Sequence, residues 1–313
     1  MSRALCTVLL VACAGGDPKS SDSAAGADDT VPLAASYTLE GDTLFPEGIA
    51  WSDSERAFFV GSLTEGSIVR VDPDGTQTTV FQPDSGVWMT LGMKVDEGAG
   101  ELLVCAVEDY GTETPQSVLQ RFAVADGGLL EQVELAPGAV CNDVAVAADG
   151  RVWITEREGP RLWTVAPGSS TAEVFAEGAL LEPEVIGCNG VVVVDENTVL
   201  VGKYAPGRIL RFDPADPGSL EEVAVGGDGL GSLPDGADGM FLDGDTLLVA
   251  ANGTWFTVES SDGWASATTT AHTPPAAIAA VTVAEGRRFG LKGEVVPFVL
   301  GTAVSLPFEI LEL

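Results

Sequence analysis

The chain has 313 residues, 45% of them hydrophobic, with 38 Gly and 18 Pro, and its 47 acidic against 15 basic side chains leave a formal charge of −32. A field of that sign repels phosphate backbones and anionic lipid headgroups, so nucleic acid is excluded as a partner. Its carboxylates either solvate the surface or hold cations, which only their positions can decide.

The N-terminus reads MSRALCTVLLVACAGG: Arg3 and then an apolar stretch from Ala4 to Ala12 that is too short to span a bilayer. Residues 1–12 are expected to be a signal peptide. Leu10-Val11-Ala12-Cys13 resembles a bacterial lipobox, which makes Cys13 a candidate lipid anchor and the only expected membrane attachment; an ordinary signal peptide without lipid is the alternative. Residues 13–34, rich in Ser, Gly, Ala and Asp, fit a flexible tether. Localisation to the bacterial cell envelope, or secretion, follows from that reading.

From residue 35 on, short apolar runs rich in Val, broken by Gly, Pro, Asp and Asn, predict an all-β fold. One strand-turn-strand phrase recurs, beginning EGIAW at Glu47, LGMKV at Leu91, NDVAV at Asn142, NGVVV at Asn189, DGMFL at Asp238 and, more weakly, AAVTV at Ala279. The spacings are 44, 51, 47, 49 and 41 residues, and third strands such as SIVRV from Ser67 and RLWTV from Arg161 follow several copies. Three or four antiparallel strands at this period mark a β-propeller blade, so residues 35–313 are predicted to form a six-bladed β-propeller. Five blades plus an irregular C-terminal segment also fit the weak sixth copy. The stretch ASYTLEG from Ala35 is a candidate closing strand for the last blade.

The innermost strand of each blade lines the central channel, so one repeat position recurs at one height around the axis. That position holds Glu47, Leu91, Asn142, Asn189, Asp238 and Ala279, and four of the six are oxygen donors. Singly, each Asn or Asp reads as a turn residue. In shared register, two carboxylates and two amides make a candidate site for one hard divalent cation: Ca²⁺ first, with Mg²⁺, Mn²⁺ and Zn²⁺ open.

PEGIAW around Glu47, Asn142-Asp143 followed by DGRVWIT, Asn189-Gly190 and ADGMFLD around Asp238 together resemble the senescence-marker-protein (regucalcin) and gluconolactonase-like six-bladed propellers. Paraoxonases and diisopropylfluorophosphatase are more distant members of the same likeness, which extends over about residues 38–300. The resemblance implies Glu47, Asn189 and Asp238 as metal ligands and Asn142 as a ligand or substrate contact. It further implies a hydrolase of lactone or related ester substrates, with Asp238 as base or nucleophile; Asp143, from its place beside Asn142, is a candidate supporting catalytic carboxylate or a turn carboxylate facing solvent. A small-molecule ester or lactone would be the partner of a monomeric enzyme. The Arg-x-Asn-Asp pattern of sugar-lactone members is missing, because Ala139-Val140-Cys141 precede Asn142. The competing reading is a non-catalytic ligand- or protein-binding propeller braced by a structural cation.

Other signals are weaker. No Gly-x-Ser-x-Gly occurs, and the single histidine, His272, lies between Thr and Pro residues and is expected in a loop. VDPDG from Val71 is a turn, and VGGDGLGSLPDG from Val225 is expected to form a rim loop over the channel. Cys141 and Cys188 occupy equivalent repeat positions, so a disulfide between them, or two buried free thiols, both fit, with Cys105 in the core.

Overall fold

A computed structural model describes residues 31–84, 86, 88–228 and 237–313; the signal sequence, Cys13 and most of the tether lie outside them. Residues Pro32–Leu313 form one compact unit of six sheets, antiparallel except for one parallel edge strand. Blade 1 comprises Pro46–Ser52, Ala57–Ser62, Ile68–Val71 and Gln77–Phe81, from the channel outward. Blade 2 comprises Trp88–Asp96, Glu101–Glu108, Gln116–Ala123 and Leu129–Glu134, and blade 3 Cys141–Val146, Val152–Glu156, Arg161–Val165 and Ala172–Glu177. Blade 4 comprises Cys188–Asp195, Thr198–Lys203, Arg208–Asp213 and Asp216–Glu222.

Blade 5 has five strands: Met240–Asp243, Thr246–Ala251, Thr254–Glu259, Ser266–His272 and, parallel at its outer edge, Ala224–Gly227. The start of the expected rim loop at Val225 is therefore an edge strand, and residues 229–236 lie outside the described set. Blade 6 comprises Ala280–Ala284, Arg287–Lys292 and Glu309–Glu312, and Ser36–Thr38 from the N-terminal side pairs with the last of these. The weak sixth copy is thus a full blade, and the expected closing strand joins the two chain ends. Among the described residues the single helix is one short turn, Val295–Val299, in the blade 6 loop.

Strand period explains where the core sits. Each blade is wedged between two others, so both of its faces must be apolar, and strands such as AFFVGS and TLLVAA are buried almost throughout rather than alternating. The buried residues accordingly divide into six clusters, one for each pair of adjacent blades. The wedge between blades 3 and 4 centres on Trp153, fully buried, with Phe175 and Phe212 at centroid distances of 4.8 and 5.0 Å. At the closure, Tyr37 is 4% exposed and packs 5.6 Å from Phe58.

Candidate metal centre in the channel

The repeated donor position coincides with a repeated backbone irregularity. In blades 1 to 4 the ladder between the two innermost strands slips between Pro46 and Ile49, Thr90 and Met93, Cys141 and Val144, and Cys188 and Val191. Each slip places two residues opposite a shortened partner, a β-bulge that re-aims the side chains within it. The paired residues are Glu47-Gly48, Leu91-Gly92, Asn142-Asp143 and Asn189-Gly190; Asp238-Gly239 and Ala279-Ala280 hold the same place in blades 5 and 6.

Glycine at the second place lets neighbouring bulges touch. A Cβ on Gly48 would strike the Leu91 carbonyl, one on Gly92 would strike Asp143, and one on Gly239 would strike Ala280. The ring is therefore narrow, and Glu47, Asn142, Asp143, Asn189 and Asp238 line one small cavity of about 40 Å³, room for roughly one ion or water. All four expected ligands and the expected supporting carboxylate meet there.

Within the ring, Asn142 Nδ2 donates to Asn189 Oδ1, and the Asn189 side chain is bonded in turn to Asp238. Two acceptors are left over: Glu47 Oε2 and Asn142 Oδ1 are buried without any hydrogen-bond partner. Burial, reinforced by Asp238 and opposed by Arg157, pushes the Glu47 carboxyl up to about 8. Burial also raises Asp238 to about 7, against the pull of Arg157 and the Asn189 hydrogen bond.

Orphaned buried oxygens beside mutually repelling carboxylates lack a positive charge, and the donor set, all oxygen, suits a hard divalent cation. Among the described residues no three His, Cys, Asp or Glu side chains gather as a metal cluster, since half of this ring is amide.

Asp143 occupies a different position from the four expected ligands. Its Oδ1 accepts from Val144 N at 2.8 Å and its Oδ2 from Val191 N at 3.1 Å, so it ties the bulges of blades 3 and 4 together. Thr155 Oγ1 accepts from Asp143 N at 3.0 Å and donates to the Asn189 carbonyl. Burial raises Asp143 to about 7, opposed by these backbone bonds and by Lys94. Below the ring the channel continues as a cavity of about 280 Å³ with mainly aliphatic walls, into which Lys94 projects. Its ammonium lies 4.1 Å from the Phe241 ring centroid, and burial lowers its pKa against the attraction of Asp143.

Two residues at the ligand end were missed by repeat analysis. Arg157 follows Glu156, which pairs with Cys141, and Tyr110 follows Glu108, which pairs with Trp88, so both stand where the innermost strands begin. Arg157 lies over the Tyr110 ring at 5.5 Å, and Tyr110 Oη donates to Glu158 Oε1 at 3.0 Å. Each lies in a charged run directly after an apolar strand, Tyr110 in EDY after LLVCAV and Arg157 in ERE after WIT, in loops rather than in the repeat register.

Two expectations are corrected. The disulfide joins Cys105 to Cys141, with Cα atoms 5.7 Å apart, and Cys188 is a buried free thiol. Equivalent residues on adjacent blades face the same way around the ring: Cys141 packs in the wedge between blades 2 and 3, Cys188 in the next one, so they do not meet. His272 ends a strand rather than sitting in a loop; it stacks on Trp255 at 4.1 Å and its Nε2 is 3.0 Å from Thr257 Oγ1.

Comparison with known proteins shows the family and the fold. The diisopropyl-fluorophosphatase of Loligo vulgaris is 23% identical over 214 residues, 62% of this chain, and the match spans 65% of that protein's length. Among solved structures, the major allergen Mala s 1 of Malassezia sympodialis superposes with a TM-score of 0.68 at 13% identity, covering 90% of this chain and 96% of that one. A gluconolactonase from Xanthomonas campestris superposes with a TM-score of 0.61 at 19% identity, covering 88% and 89%. The family described as SMP-30/Gluconolactonase/LRE-like region matches residues 45–282, from just before Glu47 into the last blade, and the chain belongs to that family.

Proposed function

We propose that the protein is a metal-dependent hydrolase of lactone or related ester substrates. The observation that carries this reading is the buried ring in which Glu47 Oε2 and Asn142 Oδ1 lack partners beside Asp238 and Asn189. Family membership and a fluorophosphatase relative support hydrolysis as the reaction class. Glu47, Asn189 and Asp238 would hold the cation, Ca²⁺ by donor type, with Asn142 as a fourth ligand or a substrate contact. When bound, the cation supplies a Lewis acid for the carbonyl oxygen.

Asp238, at the mouth of blade 5, accepts a proton from the attacking water, whose oxygen bonds to the acyl carbon. The proton then passes to the leaving alkoxide as the C–O bond breaks, giving acid and alcohol. Asp143 and Thr155 hold the Asn142 and Asn189 bulges in place. Ala279 and Ala280 of blade 6 line the ring with hydrocarbon. In the same reading the chain is exported, held at the cell envelope through Cys13, and acts as a monomer on a small ester or lactone.

The second reading, a binding propeller with a structural cation, is favoured by exposed apolar side chains on the blade 6 loop, where Val299 and Leu300 are each 70% exposed. Calorimetric titration of CaCl₂ into chelator-treated protein, beside Glu47→Gln/Asp238→Asn, followed by a lactone and aryl-ester panel, separates the two. Stoichiometric binding lost in the double variant, with turnover, supports the hydrolase. Binding without turnover favours the brace, and no binding in the wild type sinks the metal reading.

A further inference from the structure

Arg157 is a cation placed at the ligand end of the channel with little to hold it there. Its backbone N–H donates to the Val140 carbonyl at 2.9 Å, two residues before Asn142, so the side chain starts from the strand that neighbours a ring residue. The side chain is 16% exposed, its Nε is buried without a hydrogen bond, and among the described residues no hydrogen bond to the guanidinium is found. Glu158 is 3.4 Å from Nε, but that carboxylate is 38% exposed and already accepts from Tyr110, which leaves both terminal nitrogens unused. Tyr110 supports one face of the guanidinium plane.

Charge accounting around the ring sharpens the point. Arg157 is the positive group felt by both Glu47 and Asp238. A divalent cation would neutralise those two carboxylates, and Asp143 has Lys94 as its own counter-charge. Arg157, paired only with the exposed Glu158, then keeps both terminal nitrogens as a free donor fork within electrostatic reach of Glu47 and Asp238. Forks of this kind match an oxygen that carries or acquires negative charge.

The geometry points to Arg157 as a substrate-contacting residue that donates to the oxygen on which negative charge develops as an ester carbonyl is attacked. The inference rests on the hydrolase reading above and deepens it: preferred substrates are esters and lactones whose attacked centre passes through an oxyanion, with anionic tetrahedral groups as the tightest ligands. In the step itself, the water oxygen bonds to the acyl carbon, the C=O π pair moves to the carbonyl oxygen facing Arg157, and the proton goes to Asp238. The pair then returns as the C–O bond to the leaving group breaks and the alkoxide takes the proton. Arg157 exchanges no proton.

The test uses the calcium-loaded full chain and Arg157→Met and Arg157→Lys variants, with thermal melts confirming that each folds. Three readouts are taken: calcium affinity by calorimetry, kcat and KM on phenyl acetate and δ-valerolactone, and binding of methylphosphonate as a tetrahedral anion. Loss of a like charge near the ligands should tighten calcium binding by about 3- to 10-fold in Arg157→Met. Loss of the donor should lower kcat by about 100-fold with little change in KM, and abolish methylphosphonate binding, with Arg157→Lys intermediate in kcat. Wild-type kinetics and methylphosphonate binding retained in Arg157→Met would overturn the inference while leaving the hydrolase intact. Failure of the wild type to bind calcium would overturn the hydrolase reading and this inference with it. If the wild type binds calcium but turns over neither ester, the hydrolase reading fails and so does the role of Arg157 in it.

Discussion

Replacing Glu47 by Gln should stabilise the metal-free protein while removing its affinity for calcium. Glu47 is raised to about 8 from an ordinary 4.5 by burial and by Asp238, so between those values the folded state binds more protons than the unfolded chain. Stability is therefore greatest below pH 4.5 and falls as pH rises through that window. At 1.36 kcal/mol per pH unit, ionising Glu47 destabilises the metal-free fold by about 4 kcal/mol at pH 8 and by about 1 kcal/mol at pH 5. Gln has the same shape and does not ionise. In EDTA at pH 8, Glu47→Gln should melt roughly 8–15 °C above the wild type, and at pH 5 the gap should shrink to a few degrees. CaCl₂ narrows the gap, because it stabilises only the protein that binds it, by about 2.7 kcal/mol at a hundredfold excess over Kd, and closes it only near a thousandfold excess, where the gain is about 4.1 kcal/mol. A Glu47→Gln protein that melts no higher than the wild type in EDTA at pH 8 would refute the argument that burial and repulsion are stored at this position.

Other perturbations test the scaffold around the ring. Reducing the Cys105–Cys141 bond, which closes a separation of 36 residues, should lower stability by about 3–4 kcal/mol, seen as a reductant-sensitive melt that a Cys188→Ser variant retains. Gly92→Ala drives a Cβ into Asp143 and should cost about 2–4 kcal/mol together with calcium affinity, measured by melting and titration. Tyr37→Ala empties a site beside Phe58 at the closure between blades 6 and 1; a loss of about 3–5 kcal/mol and faster proteolysis near the N-terminal strand are expected.

The parts of the molecule that follow the repeat were legible in the sequence. Six copies of one phrase predict six blades, and the shared position of Glu47, Asn142, Asn189 and Asp238 predicts a ring, because a propeller converts equal repeat position into equal height on an axis. What escaped depends on direction or on loops. Cys141 and Cys188 share a repeat position, and that is why they cannot pair, since rotation about the axis points them into different wedges. Arg157 and Tyr110 belong to loops of unequal length that carry no register, so nothing in the periodicity distinguishes them from other surface charge and aromatic residues. Lys94 lies in a channel strand of blade 2, and nothing in the repeat says that it lies over Phe241 on a blade across the channel.

The ring is also uneven, and its unevenness explains why Glu47 is the first residue to perturb. Blades 3, 4 and 5 are consecutive, and their donors form a chain in which Asn142 bonds Asn189 and Asn189 bonds Asp238. Glu47 stands apart from that chain: at the same repeat position the neighbouring blades carry Leu91, whose side chain is in the core, and Ala279, neither of which offers a side-chain donor. Asp238 thus has an amide to share its charge, whereas Glu47 has an unpartnered Oε2, and burial raises the two by similar amounts, from 3.8 to about 7 and from 4.5 to about 8. A cation entering the ring would relieve both carboxylates and give Glu47 Oε2 the partner it lacks. Protons are released as the cation enters, and calcium affinity should rise from pH 6 to pH 8, with part of that slope lost in Glu47→Gln and a comparable part in Asp238→Asn.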